Sequence, residues 1–252
     1  MKNLSMFYFL ERSFWTQPGL VTIFIISLLT VIFLRYLIVS LLYKFFLEHF
    51  LDTSRNSFKA KRSQIKREVR WSMLSSLVFT LLCAITLLAY QYGMTSIYID
   101  VESYSWLYFF VSPVIVLFFY ETYYYWLHRW MHQPRIFKLI HKVHHDSILP
   151  TVFSAFSFHP LEALLQFIFF PVFLIFIPIH PIMLGVIFLA LTISAMINHS
   201  GVEIYGTAVR NHIIGSMHHD LHHRVFKSNF GLTTTWWDKW MKTEQKEAKR
   251  YN

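Results

Sequence analysis

The 252 residues include 14 histidines, and eight of these fall in three short runs. The first is His128-Arg129-Trp130-Met131-His132. The second is His141-Lys142-Val143-His144-His145, and the third is His219-Asp220-Leu221-His222-His223. A neutral imidazole offers one lone pair, and histidine is the commonest protein ligand of transition metals. On a helix, positions i, i+3 and i+4 share a face, so each run is expected to aim two or three imidazoles at one point. Eight imidazoles exceed the four ligands, or three plus water, of a tetrahedral zinc site, which points to two metals. Imidazole suits zinc, copper, iron and nickel alike, so ligand type alone does not choose the metal. A zinc protease of the H-E-x-x-H type needs glutamate after its first histidine. Arg129 stands there, which argues against an intramembrane metalloprotease. The one cysteine, Cys83, lies in an apolar run and reads as a packing residue. Neither an internal disulfide nor a cysteine metal site is available.

The elements that must position these residues belong in a bilayer. The chain is 55% hydrophobic and 15% charged, with a mean hydropathy of +0.40, against about 25% charged in ordinary soluble domains. Apolar runs from Leu20 to Leu42, Trp71 to Tyr92 and Trp106 to Leu127 are each long enough to span. Arg35 interrupts the first and either snorkels or faces a partner helix. Tyr120, Tyr123, Tyr124 and Tyr125 near the end of the third suggest an interfacial belt. The run from Leu161 to Ile197 is too long for one span, and Pro178 and Pro181 break it into a hairpin with His180 at its tip. No cleavable leader is expected, because the first apolar run lacks a small-residue cleavage site and is long enough to span. The loop from Tyr43 to Arg70 is rich in Lys and Arg, whereas that from Gly93 to Ser105 has none. The positive-inside rule then puts the first loop, and with it all three histidine runs, on the cytoplasmic face. The net charge of +9 fits an anionic membrane surface rather than nucleic acid. The expected fold is therefore all-α: a multi-pass membrane helix bundle with a cytoplasmic helical cap carrying a histidine-rich dimetal site.

The spacing of the three histidine runs resembles the fatty acid hydroxylase and sterol desaturase superfamily of membrane di-iron enzymes. His159-Pro160-Leu161-Glu162, Asn198-His199-Ser200-Gly201, Asn229-Phe230-Gly231 and Trp237-Asp238-Lys239 are similar to further segments of that superfamily. The resemblance covers roughly residues 105 to 243. It divides the chain into an N-terminal membrane region (1–104) with two spans and the basic loop, a hydroxylase-like di-iron domain (105–243) and a basic tail (244–252).

By position, the resemblance implies metal ligation by His128, His132, His141, His144, His145, His219, His222 and His223, with His199 as a ninth ligand. Relatives often place a histidine four residues after that ninth position. Here Glu203 stands there, either binding metal itself or supporting an imidazole. His159 is placed to cap or orient the site, His218 to point away from the metals, and His212 and His49 to face solvent. Each ligand needs its other ring nitrogen satisfied, and Glu121, Asp146, Glu162, Asn198, Asp220 and Asp238 are the candidates for that. The resemblance further implies two irons, O2 as co-substrate and two electrons per turnover. The reaction is hydroxylation or desaturation of a lipid C–H bond, the lipid being a sterol, fatty acyl or alkyl-lipid. The short first histidine run is closer to the sterol and alkylglycerol branches. No Rossmann glycine fingerprint is present, so electrons are expected from a separate cytochrome b5- or ferredoxin-like protein. The basic surfaces from Arg55 to Arg70 and from Lys239 to Arg250 offer attraction to an acidic partner or to anionic lipid. The membrane is that of the endoplasmic reticulum or the bacterial inner membrane. The alternative from another class is a metal transporter or sensor, which needs polar ligands along its spans. Here the histidines gather at the span ends.

Overall fold

The computed structural model describes residues 12–50 and 60–246. Arg55 and Lys59, and the tail from 247 onward with Lys249 and Arg250, lie outside the described residues. In chain order the principal helices are α1 (Pro18–Phe50), α2 (Arg62–Gln91), α3 (Trp106–Met131), α4 (134–145), α5 (Pro160–Phe173, irregular at Ile168), α6 (Pro181–Asn198), α7 (Ser216–Val225) and α8 (Trp236–Trp240). No strand occurs among the described residues, only two isolated bridges. The fold is an all-α membrane bundle. Helices α1, α2, α3 and α6 are long and apolar enough to cross a bilayer. Ile23, Ile26, Val31, Leu34, Ile38 and Leu41 of α1 are exposed. A row of large apolar side chains on that scale needs lipid rather than water against it.

Proline sets where three of these helices start. Pro18, Pro160 and Pro181 stand at first helical positions, where the missing N–H costs nothing and φ is already helical. Pro113 is different, because it lies inside α3 and frees the carbonyl four residues back. The Ser112 hydroxyl donates to that carbonyl, Phe109 O, at 3.2 Å, so the span continues without an orphaned acceptor.

The hairpin of α5 and α6 turns where the prolines require. His180 caps α6, its Nδ1 accepting from Ile182 N at 3.2 Å, while Nε2 donates to Ile99 O at 2.9 Å. This seats the tip on the segment between α2 and α3, together with Ser96 N donating to Leu174 O and Tyr98 N donating to Ile179 O. The basic loop is shorter than expected. Helix α1 runs on to Phe50 and α2 begins at Arg62, so Lys44, Lys66, Arg67 and Arg70 ride on helix ends. His49 is exposed on the last turn of α1, stacked on Phe45.

The tyrosines of α3 do not form the expected interfacial belt. Tyr120, Tyr124 and Tyr125 are buried, and Tyr123 donates its hydroxyl to Leu165 O. They face inward because the elements beyond α3 fold back over it. Exposed Trp106, Trp126 and Trp130 occupy the outer surface instead.

After the second histidine run, residues 151–158 lie across α1 and α2. Tyr36 and Ser72 both donate to Phe153 O, at 2.8 and 3.2 Å, and Ser75 donates to Phe158 O at 3.3 Å. Glu68, fully buried, accepts from Gln64 and Ser147, both at 2.8 Å, and from Thr151 at 2.6 Å. It ties the start of α2 to the exit of the histidine segment. Glu68→Ala orphans the buried Ser147 hydroxyl and the half-buried Thr151 hydroxyl and is expected to destabilise the protein by about 3 kcal/mol. The check is a lower midpoint of thermal unfolding in detergent, whereas Glu68→Gln retains most of the stability.

Candidate metal centre

Four helices bring the nine histidines to one end of the bundle. His128 is on the last turn of α3 and His132 caps that helix. His141, His144 and His145 are on α4, and His199 caps α6. His219, His222 and His223 are on α7. Part of α4 is a π-helical turn, Phe137–His141, a feature often found at functional sites that no residue pattern announced.

The nine form two groups. His128, His132, His141, His145 and His222 make the first; His144, His199, His219 and His223 make the second. In the first, Nε2–Nε2 separations are 3.1 Å for His128–His141 and His141–His145, and 3.2 Å for His145–His222 and His132–His222. In the second they are 3.3 Å for His144–His199 and 3.1 Å for His199–His219 and His219–His223. A metal with bonds of about 2.1 Å has donor–donor edges of about 3.0 Å when octahedral and about 3.4 Å when tetrahedral. The observed edges fall in that interval.

The expectation that each run aims at a single point is corrected. Every i, i+4 pair (128/132, 141/145, 219/223) shares a group, and the i+3 member of each H-x-x-H-H crosses to the other group. Successive residues turn by about 100° around a helix. His144 and His145 therefore diverge, as do His222 and His223.

Hydrogen bonding tests whether metals fit. His128 Nδ1 donates to Phe230 O at 2.8 Å, His222 Nδ1 to Ser228 O at 2.7 Å and His199 Nδ1 to Ala195 O at 2.8 Å. A carbonyl only accepts, so in the neutral ring each of these Nε2 atoms carries a bare lone pair. His141 Nδ1 donates to Glu162 Oε1 at 2.8 Å, with the same result. His128 and His141 thus oppose two lone pairs at 3.1 Å, which is repulsive unless a cation lies between them. Protonation does not relieve it. Burial first, then the neighbouring imidazoles, holds His141, His145, His219 and His223 well below the ordinary histidine range. His199 is lowered by burial to about 4, against an opposing bond to Ala195 O. The donor set is neutral, buried and convergent, as metal ligands must be.

The remaining candidates sort by contact. Glu162, fully buried, accepts from His141 and from Gln166 Nε2 at 3.0 Å, and is the one carboxylate among them bonded to a histidine of the two groups. Glu203 is in neither group. Its Oε1 accepts from Tyr205 N at 2.9 Å and Oε2 from Met217 N at 3.1 Å, so it caps the positive end of α7. A Cβ on Gly215 would lie 2.5 Å from Glu203 Oε1, so the carboxylate needs glycine there. His159 caps α5, Nδ1 accepting from Leu161 N at 3.3 Å. His218 points away from both groups toward Asp238, at 3.4 Å. His212 is exposed. Asp146 pairs with Lys142 at 2.7 Å, and Asp220 lines a surface cleft with Arg224 and Lys44. Asn198 donates to Leu232 O at 2.8 Å.

Two of the candidates act through the closing loop, residues 226–235 between α7 and α8, rather than on a histidine directly. Glu121 accepts from the backbone and hydroxyls of Thr233 and Thr234, pinning that loop to α3. Asp238 accepts from Phe230 N at 2.8 Å, Gly231 N at 2.9 Å and Thr243 Oγ1 at 2.8 Å. It holds the segment whose carbonyls orient His128 and His222. Burial raises the Asp238 pKa, but the bond from His218 and those from Gly231 and Thr243 outweigh it, and the net shift is downward.

An apolar cavity of about 340 Å³ adjoins the second group. His144, His199 and His219 line one end. Side chains of α1, α2, α3, α5 and α6, including Phe79, Phe167, Phe188 and Leu189, line the rest, with Phe156, Phe158 and Leu232 from the connecting segments.

The sequence model of the fatty acid hydroxylase family matches residues 113–243. The chain belongs to that family. A delta(7)-sterol 5(6)-desaturase of Gibberella zeae is 31% identical over 177 residues, 70% of this chain and 55% of its own. A delta(7)-sterol 5(6)-desaturase of Aspergillus fumigatus is 30% identical over 196 residues, 70% of this chain and 61% of its own. Lathosterol oxidase of Mus musculus is 28% identical over 231 residues, 89% of this chain and 76% of its own. The chain thus spans between half and two thirds of the two fungal relatives. No solved structure matches. All nine grouped histidines lie within the part of the chain that the fatty acid hydroxylase model covers.

Two outcomes follow from this geometry. With the pKa of His199 lowered from 6.5 to about 4, unfolding takes up a proton between those values. Metal-free protein is expected to keep its full stability above about pH 6.5 and to lose it progressively as pH falls toward 4, read as thermal midpoint against pH. Glu162→Ala removes the acceptor of His141 Nδ1 and is expected to weaken metal binding about 10- to 100-fold, measured by competition with a chelator. Unchanged affinity excludes that role for Glu162.

Proposed function

We propose that this chain is a membrane di-iron oxidoreductase that hydroxylates or desaturates a lipid C–H bond with O2 and electrons from a separate redox protein. The supporting observation is the pair of buried groups of facing, neutral imidazoles at one end of an apolar cavity. In this reading the nine grouped histidines are the ligands, five to one iron and four to the other. Iron suits imidazole, and the named relatives are sterol desaturases and an oxidase. Once bound, the irons supply the redox chemistry by which O2 oxidises an otherwise inert C–H bond.

The residues of the chain do the rest. Glu162 and the carbonyls of Phe230, Ser228 and Ala195 hold four rings in the tautomer that presents Nε2. Phe158, Phe170 and Leu232 wall the cavity, and apolar side chains there disfavour water beside the histidines. A lipid in the bilayer needs no aqueous route to such a cavity, and the four-histidine group, which lines it, is the one that meets the substrate. The histidine end lies on the cytoplasmic face in this proposal, because the Lys- and Arg-rich helix ends of α1 and α2 are at that end. Lys66, Arg67, Arg70 and Lys239 then present positive charge to an acidic cytochrome b5- or ferredoxin-like donor. The membrane is the endoplasmic reticulum or the bacterial inner membrane.

Full-length protein purified from iron-replete membranes is expected to carry iron, and cells expressing it to contain an oxidised lipid absent from controls. His144→Ala is expected to abolish that product while membrane insertion is retained. Zinc as the sole metal of active preparations sinks the di-iron reading, and metal flux into vesicles without lipid turnover replaces the enzyme with a transporter.

A further inference from the structure

Arg35 is the unusual residue of the spans. It lies 17 residues after Pro18 and 15 before Phe50 in α1, so it is about 26 Å along the axis from one end and about 22 Å from the other. A guanidinium keeps its charge at any ordinary pH and carries five N–H donors. Placing one at that depth is costly unless it is paired. Among the described residues no carboxylate pairs with Arg35. Its one hydrogen bond to protein there is from Nη1 to Thr192 Oγ1; the face of Phe156 lies 6.0 Å from the guanidinium carbon, and the Cys83 thiol, on the same cavity, is a further neighbour. The Thr192 hydroxyl itself donates to Phe188 O at 2.6 Å, so its oxygen is fixed as an acceptor and the cation is held in place.

Arg35 and Thr192 both line the cavity that ends at His144, His199 and His219. Thr192 precedes His199 by seven residues on the same helix and its cap, which is about 10 Å along the axis. The cavity therefore carries a fixed, charge-unpaired donor deep among apolar walls, set back from the histidines. A pure hydrocarbon would leave those donors unsatisfied. A lipid bearing an oxygen acceptor would satisfy them in a low-dielectric site, where such bonds are strong.

We propose that Arg35, braced by Thr192, binds the polar oxygen of the lipid, a hydroxyl or a carboxylate, and so selects an amphiphile over a hydrocarbon. This rests on the proposed function only for reading the cavity as the substrate site.

The test is equilibrium binding to the full chain, stripped of metal and held in lipid nanodiscs, so that no turnover is involved. The probes are two pairs: radiolabelled cholesterol against cholestane, and palmitic acid against hexadecane. Wild type is expected to bind the oxygenated member of one pair about 10- to 100-fold more tightly than its hydrocarbon. Preference in the sterol pair assigns a hydroxyl, and preference in the acyl pair assigns a carboxylate. Arg35→Met is expected to lose the preference, and Thr192→Val, which keeps the cation, to retain part of it. Absence of preference by wild type in both pairs overturns the proposal, and that comparison needs no variant to fold. Retention of the preference by Arg35→Met, or its equal loss in both variants, overturns it as well. Loss of redox activity or loading with zinc alone sinks the proposed function without touching this result.

Discussion

The structure is organised around lone pairs that face one another. His128 and His141 meet at 3.1 Å with both Nδ1 atoms committed to acceptors, so the rings oppose bare nitrogens. No apolar core would be built that way, and burial keeps the rings from escaping as imidazolium. The surrounding elements are what hold this unfavourable arrangement in register. Glu162 reaches in from α5, Ala195 O from α6, and Ser228 O and Phe230 O from the closing loop. Each supporting group is itself held, the loop by Asp238 and Glu121 and the start of α7 by Glu203. A net of hydrogen bonds spread over residues 121 to 243 thus converges on two points.

The second constraint is the bilayer. Helices with apolar exteriors can bury their polar groups only inward or at their ends. The bundle therefore gathers its hydroxyls and carboxylates at the histidine end: Glu68, Ser72 and Ser75 on α2, Glu121 on α3, and Thr151 in the linker. The same constraint gives weight to Arg35. A cation in the apolar half of the molecule is held by a threonine hydroxyl and an aromatic face, with the cavity beside it.

Much of this was legible in the residues. Apolar run length located the spans, although α1 runs eight residues beyond Leu42 and α2 starts nine residues before Trp71, and Pro178 with Pro181 placed the hairpin tip. The histidine spacing named eight members of the two groups, and the family resemblance added the ninth, His199. What misled was one-dimensional reading of polar residues. The α3 tyrosines looked interfacial because their burial depends on α5 and the closing loop folding back over them, far along the chain. Asp146 looked like a support because it adjoins histidines in sequence, yet it pairs with Lys142, since adjacent residues on a helix point about 100° apart. Of the supports in contact with histidine rings, Glu162 and Phe230 O come from other segments, while Ala195 O lies one turn before His199 and Ser228 O six residues after His222; three of the four are backbone carbonyls, which carry no residue-type signal at all.

The sequence by itself determined which side chains can gather at the end of the bundle, since residue type and helical spacing are local properties. How they divide was decided only by tertiary structure. The i, i+4 pairs stay together because about 40° of helical rotation separates them, whereas the i+3 residue falls about 60° to the other side. Which group each then joins depends on how α3, α4, α6 and α7 are packed, and so does the pairing of each Nδ1. Five imidazoles in one group and four in the other, the four beside the cavity, is a consequence of that packing.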